Sequence, residues 1–92
     1  MSGTVSYTNF DFDAVTVVPV IASFDSEGRI APLYVRILGN SYKIDSFGER
    51  LRYANVTEFN CRIIDRGYIK PLKLTYHAEM GIWTIPAPLD NA

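Results

Sequence analysis

The chain is poor in the residues that most enzyme and metal chemistry needs. It has one cysteine and one histidine among 92 residues. A single thiol, Cys61, cannot close an internal disulfide. No Cys-x-x-Cys and no paired histidines occur, so the four soft or imidazole ligands of a structural zinc site are missing. Cys61 reads as a small buried apolar residue and His77 as a strand-end residue; no metal and no cofactor are expected. Phosphate-cradling glycine loops are absent too, which excludes nucleotide binding by those motifs. No apolar run approaches the ~18 residues of a membrane helix. No basic segment followed by an apolar one opens the chain, so no secretory signal is expected and the location is read as cytoplasmic. Charge of one sign is also lacking: the formal net charge is −1. Finally, no window carries a long apolar stripe at helical spacing. The best helix candidate, Glu49–Asn55, is a turn or two at most.

What the chain has is regular punctuation. Glycine and proline recur every 8–12 residues between runs rich in Val, Ile, Leu, Tyr and Phe, the pattern of short strands joined by tight turns. Six strands are predicted: Val15–Asp25, Ile30–Leu38, Ser41–Phe47, Val56–Asp65, Ile69–His77 and Ile82–Pro86. Gly28, a Gly39-Asn40 pair suggesting a type II′ turn, Arg66-Gly67 and Gly81 mark the connections. The alternation predicts that Phe24, Leu33, Val35, Ile37, Ile44, Phe59, Ile63, Leu72, Leu74 and Trp83 are buried together.

The chain overlays itself at an offset of 39 residues, Gly28-Arg29-Ile30-Ala31-Pro32-Leu33 on Gly67-Tyr68-Ile69-Lys70-Pro71-Leu72. The expected fold is therefore all-β: two tandem three-stranded antiparallel meanders, each at the edge of independent stability, packed as a small SH3-like barrel or sandwich. Pro32 and Pro71 cannot donate to a ladder and are expected at bulges or bends. One domain spans residues 15–86. Residues 1–14 form an arm, either flexible or an added strand through Tyr7, Phe10 and Phe12, and residues 87–92 a tail.

Few groups could carry a reaction. Nucleophilic catalysis needs a nucleophile, a base and an orienting group. His77 is the only imidazole and stands beside a turn, while Ser23, Ser41 and Thr75 point outward by phase. Most acids occupy turns and strand ends, their usual solvated positions. The chain is therefore expected not to be an enzyme. The charge pattern stands out more. Residues 15–89 hold 9 basic and 7 acidic side chains. Outward strand positions are mostly basic: Arg36, Lys43, Arg62 and Lys73, with Tyr34 and His77 on the same face. Basic strand faces with aromatics bind nucleic acid in small β-barrels, and they also serve simply as solubilising, edge-protecting surfaces.

The segments Pro32-Leu33-Tyr34-Val35-Arg36 and Pro71-Leu72-Lys73-Leu74-Thr75-Tyr76-His77, ending at Trp83-Thr84-Ile85, resemble small uncharacterised β-domain proteins of Gram-positive gut bacteria. The resemblance covers about residues 15–86 and implies a bacterial cytosolic setting. It brings no activity and no site residues with it. The expected function is a non-enzymatic interaction module that binds a protein or a second copy of itself through exposed aromatics and strand edges. The alternative is a nucleic-acid-binding adaptor that uses Tyr34, Arg36, Lys43, Arg62 and Lys73.

Overall fold

The computed structural model describes residues 15–53 and 55–86; the expected arm at 1–14 and tail at 87–92 lie outside the described residues. Seven strands follow one another: β1 (Val15–Val18), β2 (Val20–Phe24), β3 (Ile30–Ile37), β4 (Asn40–Tyr53), β5 (Val56–Asp65), β6 (Tyr68–His77) and β7 (Ile82–Pro86). They form one antiparallel sheet in the order β1-β7-β6-β5-β4-β3-β2. No helix among the described residues is long and apolar enough to cross a membrane.

The predicted first strand is divided at Pro19. Proline lacks an N–H and fixes its φ, so the ladder is interrupted there. The two halves go to opposite edges of the sheet: β1 pairs with β7 and β2 with β3. The Pro19 carbonyl accepts a 3.0 Å hydrogen bond from the Arg36 amide, which ties the break to β3. The two meanders are not separate sheets, because β4 pairs with β5 from Lys43 to Tyr53. The continuous sheet instead curls into a half-barrel. The curl brings Phe24 on β2 edge-to-face against Tyr76 on β6, with ring centroids 6.1 Å apart, although these strands are four places apart in the sheet.

Segment 49–55, the best helix candidate, is corrected: Glu49–Tyr53 belong to β4. Seven-residue propensity is a weak signal there, and pairing with the central strand β5 overrides it.

The core lies on the concave face and contains Val18, Val35, Ile44, Phe59, Cys61, Ile63, Leu74, Trp83 and Ile85. Ile37 and Leu72 pack against it half-buried. Two predicted core residues do not fit. Leu33 is 41% exposed because the β2–β3 register passes from Ile21↔Tyr34 to Ala22↔Pro32. Leu33 is the extra residue of that bulge, and the one-residue slip turns it outward while Pro32 turns in and is fully buried. Phe24 keeps its inward phase but sits at the open rim, 56% exposed. Pro32 thus lies beside a bulge as expected. Pro71 does not: it pairs with Arg62 in unbroken register. It lies on the part of β6 that β7 does not reach, since β7 pairs only with Thr75–His77, and an open edge tolerates the missing donor.

The β3–β4 turn is also corrected. Ile37 pairs with Asn40, so the two-residue loop is Leu38-Gly39, with φ of 51° and 83°. Two positive φ values mark a type I′ turn, whose twist matches the strands. Arg66-Gly67 repeats the geometry at 55° and 84°. Leu38 is costly in this conformation, at about 1–2 kcal/mol for a residue with a Cβ, and its side chain is 81% exposed. Leu38→Asn is therefore expected to stabilise the protein by about 0.5–1 kcal/mol, since Asn tolerates this region better. A urea midpoint unchanged or lowered in the variant would contradict the turn assignment.

Candidate nucleic-acid interface on the convex face

Alternation along each strand decides which side chains leave the core. On β5, Phe59, Cys61 and Ile63 point in, so Glu58, Asn60, Arg62 and Ile64 point out. The ladder registers then place the four basic residues on one convex surface. Lys43 on β4 faces Tyr34 on β3 directly, and Arg36 is its diagonal neighbour. Lys43 faces Ile64 on β5, with Arg62 diagonal to it. Arg62 faces Pro71 on β6, with Lys73 diagonal in turn. Each step descends by two residues in the same sense. Arg36, Lys43, Arg62 and Lys73 thus form a straight oblique band across four successive strands, with steps of about 7–8 Å between α-carbons. All four are exposed, as is Tyr34.

Pairing divides the band. Lys73 Nζ lies 2.8 Å from Glu58 Oε2, a carboxylate whose side chain is only 7% exposed. That end is therefore partly neutralised. Arg36, Lys43 and Arg62 have no ion pair among the described residues. Arg50, directly opposite Glu58 on β4, adds a fifth cation to the same face. Its face could not be assigned from sequence because Glu49–Asn55 carried the helix candidate. Other charges are occupied away from this surface. Arg29 bonds Asp25 at 2.8 Å and Glu27 at 3.1 Å within the β2–β3 turn, and Lys70 bonds Asp65 at 2.8 Å. The Arg29 side chain and the turn amides hold the Asp25 carboxyl below the usual carboxylate range.

Apolar residues accompany the cations. Ile21, Tyr34, Lys43, Ile64 and Ile69 form one cross-strand row on the convex face, in which Ile21, Tyr34 and Ile69 are exposed. At the Arg36 end of the band, where Pro19 breaks the edge strand, a cleft of about 280 Å³ is lined by Pro19, Ile21, Tyr34, Arg36 and Ser41 among others.

The hydroxyl and the thiol that could suggest catalysis are both buried. A 2.9 Å hydrogen bond joins His77 Nε2 and Thr84 Oγ1, a base beside a hydroxyl. Thr84 is 2% exposed, however, so no substrate carbonyl could reach that oxygen within the distance nucleophilic attack requires. Cys61 is buried among the core side chains, and desolvation pushes its thiol up to about 11, so at neutral pH it is protonated and a poor nucleophile. Among the described residues no cluster of three or more His, Cys, Asp or Glu side chains could hold a metal ion.

No protein-family model matches the chain, and neither does any curated protein or solved structure.

Proposed function

We propose that the chain is a non-enzymatic binding module whose convex face contacts the phosphates of nucleic acid. The observation that carries this reading is the oblique band Arg36–Lys43–Arg62–Lys73, with Arg50 beside it and Glu58 as the facing acid. Net charge gives no hint of such a surface: Asp25, Glu27 and Glu79 lie in turns, while Asp45, Glu49, Glu58 and Asp65 stand on β4 and β5, with Asp45, the extra residue of the β4 bulge, exposed two residues from Lys43. Local field, not the whole-chain sum, attracts a polyanion. Arg29 and Arg66 lie in turns and Lys70 on the opposite phase of β6, but the four cations of the band follow one oblique line across successive strands. The apolar row beside it gives bases a surface to lie on.

The experiment is a titration of mixed-sequence single-stranded RNA and DNA at low salt, repeated at increasing salt. Four phosphate contacts on a single strand give a slope of log K against log [salt] of about −3, or a roughly 50-fold loss of affinity between 50 and 200 mM salt. No saturable binding at low salt would sink the reading. A second reading, association with a protein or a second copy of the chain, is favoured by the edge of β4. From Ser46 onward that strand has β5 on one side and, among the described residues, no strand on the other. Absence of nucleic-acid binding together with a dimer in sedimentation of the same protein would select it.

In architecture, we read the two meanders as copies of one unit that close in an SH3-like manner. The pairs Val20↔Val35 and Phe59↔Leu74 coincide at the 39-residue offset, which supports this reading. Its setting, by the resemblance of the hairpin segments, is the bacterial cytoplasm.

A further inference from the structure

We infer that the cleft at the Pro19 break is a pocket for one unstacked nucleobase, so that the ligand of the convex face is a single strand and not a duplex. The inference rests on the nucleic-acid reading above and goes beyond it by naming a base site and the kind of strand that can use it.

The cleft lies over the start of the β2–β3 ladder, beside Pro19, and reaches Ser41 on β4. Pro19 sends β1 to β7 and β2 to β3, and the Arg36 amide bonds the Pro19 carbonyl where the β2–β3 ladder begins. The cleft is an open depression of about 280 Å³, just below the usual range of a small-ligand pocket, so it takes one face of a flat group and does not enclose a whole ligand. Its lining suits a base. Tyr34 offers an aromatic ring and Ile21 an apolar wall. Ser41 supplies a hydroxyl that can donate to or accept from a base edge. Arg36, opposite Ser41 in the ladder, brings a guanidinium that stacks on π systems or binds a phosphate.

Its position matters as much as its lining. Arg36 belongs both to the cleft and to the end of the cationic band, so a strand whose phosphates follow Lys43 and Arg62 delivers its next base to Tyr34. This is the arrangement of single-strand binders, a cationic track with an aromatic platform. A base held in a duplex is stacked and paired, and must be flipped out at a cost before it can enter. Poly-glutamate could follow the same cations but has no ring to place against Tyr34.

The test compares four probes at low salt by fluorescence anisotropy: a mixed-sequence single-stranded DNA, the same length of abasic sugar–phosphate strand, the duplex, and poly-glutamate. The single strand is expected to bind roughly tenfold more tightly than the abasic strand, the contribution of one stacked base. Tyr34→Ala should bring the single strand down to the abasic affinity and leave the salt slope unchanged, while Tyr34→Phe retains the difference. Tyr34 is exposed, and thermal melting of both variants checks that the fold is kept. Equal binding of single strand, abasic strand and duplex would overturn the base pocket and leave the phosphate band standing. Equal binding of poly-glutamate would overturn both, as would no binding of any probe.

Discussion

Trp83→Ala should lower the unfolding free energy by about 3–5 kcal/mol, the usual cost of emptying an aromatic site in a core. Trp83 stands on β7 with its ring 4.8 Å from that of Tyr76 and 5.6 Å from that of Phe59. Phe59 in turn meets Phe47 at 5.7 Å, and Tyr76 meets Phe24. The five rings form one chain of contacts through β2, β6, β7, β5 and β4. Removing the middle ring leaves a void lined by atoms from three strands, and a curled sheet cannot collapse onto it without losing register. Domains of this size have about 5–15 kcal/mol in total, so the variant would be near the limit of folding. At roughly 4–8 °C per kcal/mol for a domain of 60–100 residues, the midpoint should fall by at least ~12 °C. Phe24→Ala, at the exposed end of the same line, forfeits mainly one edge-to-face contact of about 0.5–1.5 kcal/mol. A calorimetric scan in which both variants melt alike would place Trp83 outside the core.

Lys43→Glu/Arg62→Glu should abolish nucleic-acid binding and change stability by less than about 0.5 kcal/mol, since both side chains are exposed on the convex face and neither has an ion-pair partner among the described residues. The double change removes two central cations of the band and puts two carboxylates in their place, so that Arg36, Arg50 and Lys73 are balanced by Glu58 and the two new acids. Lys73 is unsuitable for this experiment. Lys73→Glu would set a second carboxylate against the nearly buried Glu58, and the resulting repulsion and desolvation would perturb the fold as well as the surface. The same anisotropy titration with wild type and double variant reads the effect, and circular dichroism melting verifies the fold. Undiminished binding by a folded double variant would mean that the band is not the contact surface.

The strands themselves were legible because their signal is local. Val56–Asp65 and Ile82–Pro86 agree with β5 and β7 to the residue, since period-two burial on a central strand and the glycine turns beside it are written into consecutive residues. The outward phase of Arg36, Lys43, Arg62 and Lys73 was legible for the same reason. Three features were not. Leu33 keeps perfect alternation in the sequence, and only the bulge opposite β2 turns it out, because a bulge is a property of two strands and their mismatch in length. The continuation of β4 through Glu49–Tyr53 depends on having β5 as a partner. The division of Val15–Phe24 at Pro19 is readable as a break, but not as a transfer between the two edges of one sheet.

The sequence alone thus determined the class of structure, the strand count to within the division at Pro19, and which side chains face away from the core wherever no bulge interrupts the alternation. Backbone alternation fixes these without reference to any distant residue. Tertiary structure decided whether the outward cations meet. Had the two meanders packed as separate sheets, Arg36 and Lys43 would have pointed away from Arg62 and Lys73, on opposite sides of a sandwich. The pairing of β4 with β5 makes one curled sheet with a single convex face, and so turns four cations scattered over 38 residues of chain into one oblique line ending at the Pro19 cleft.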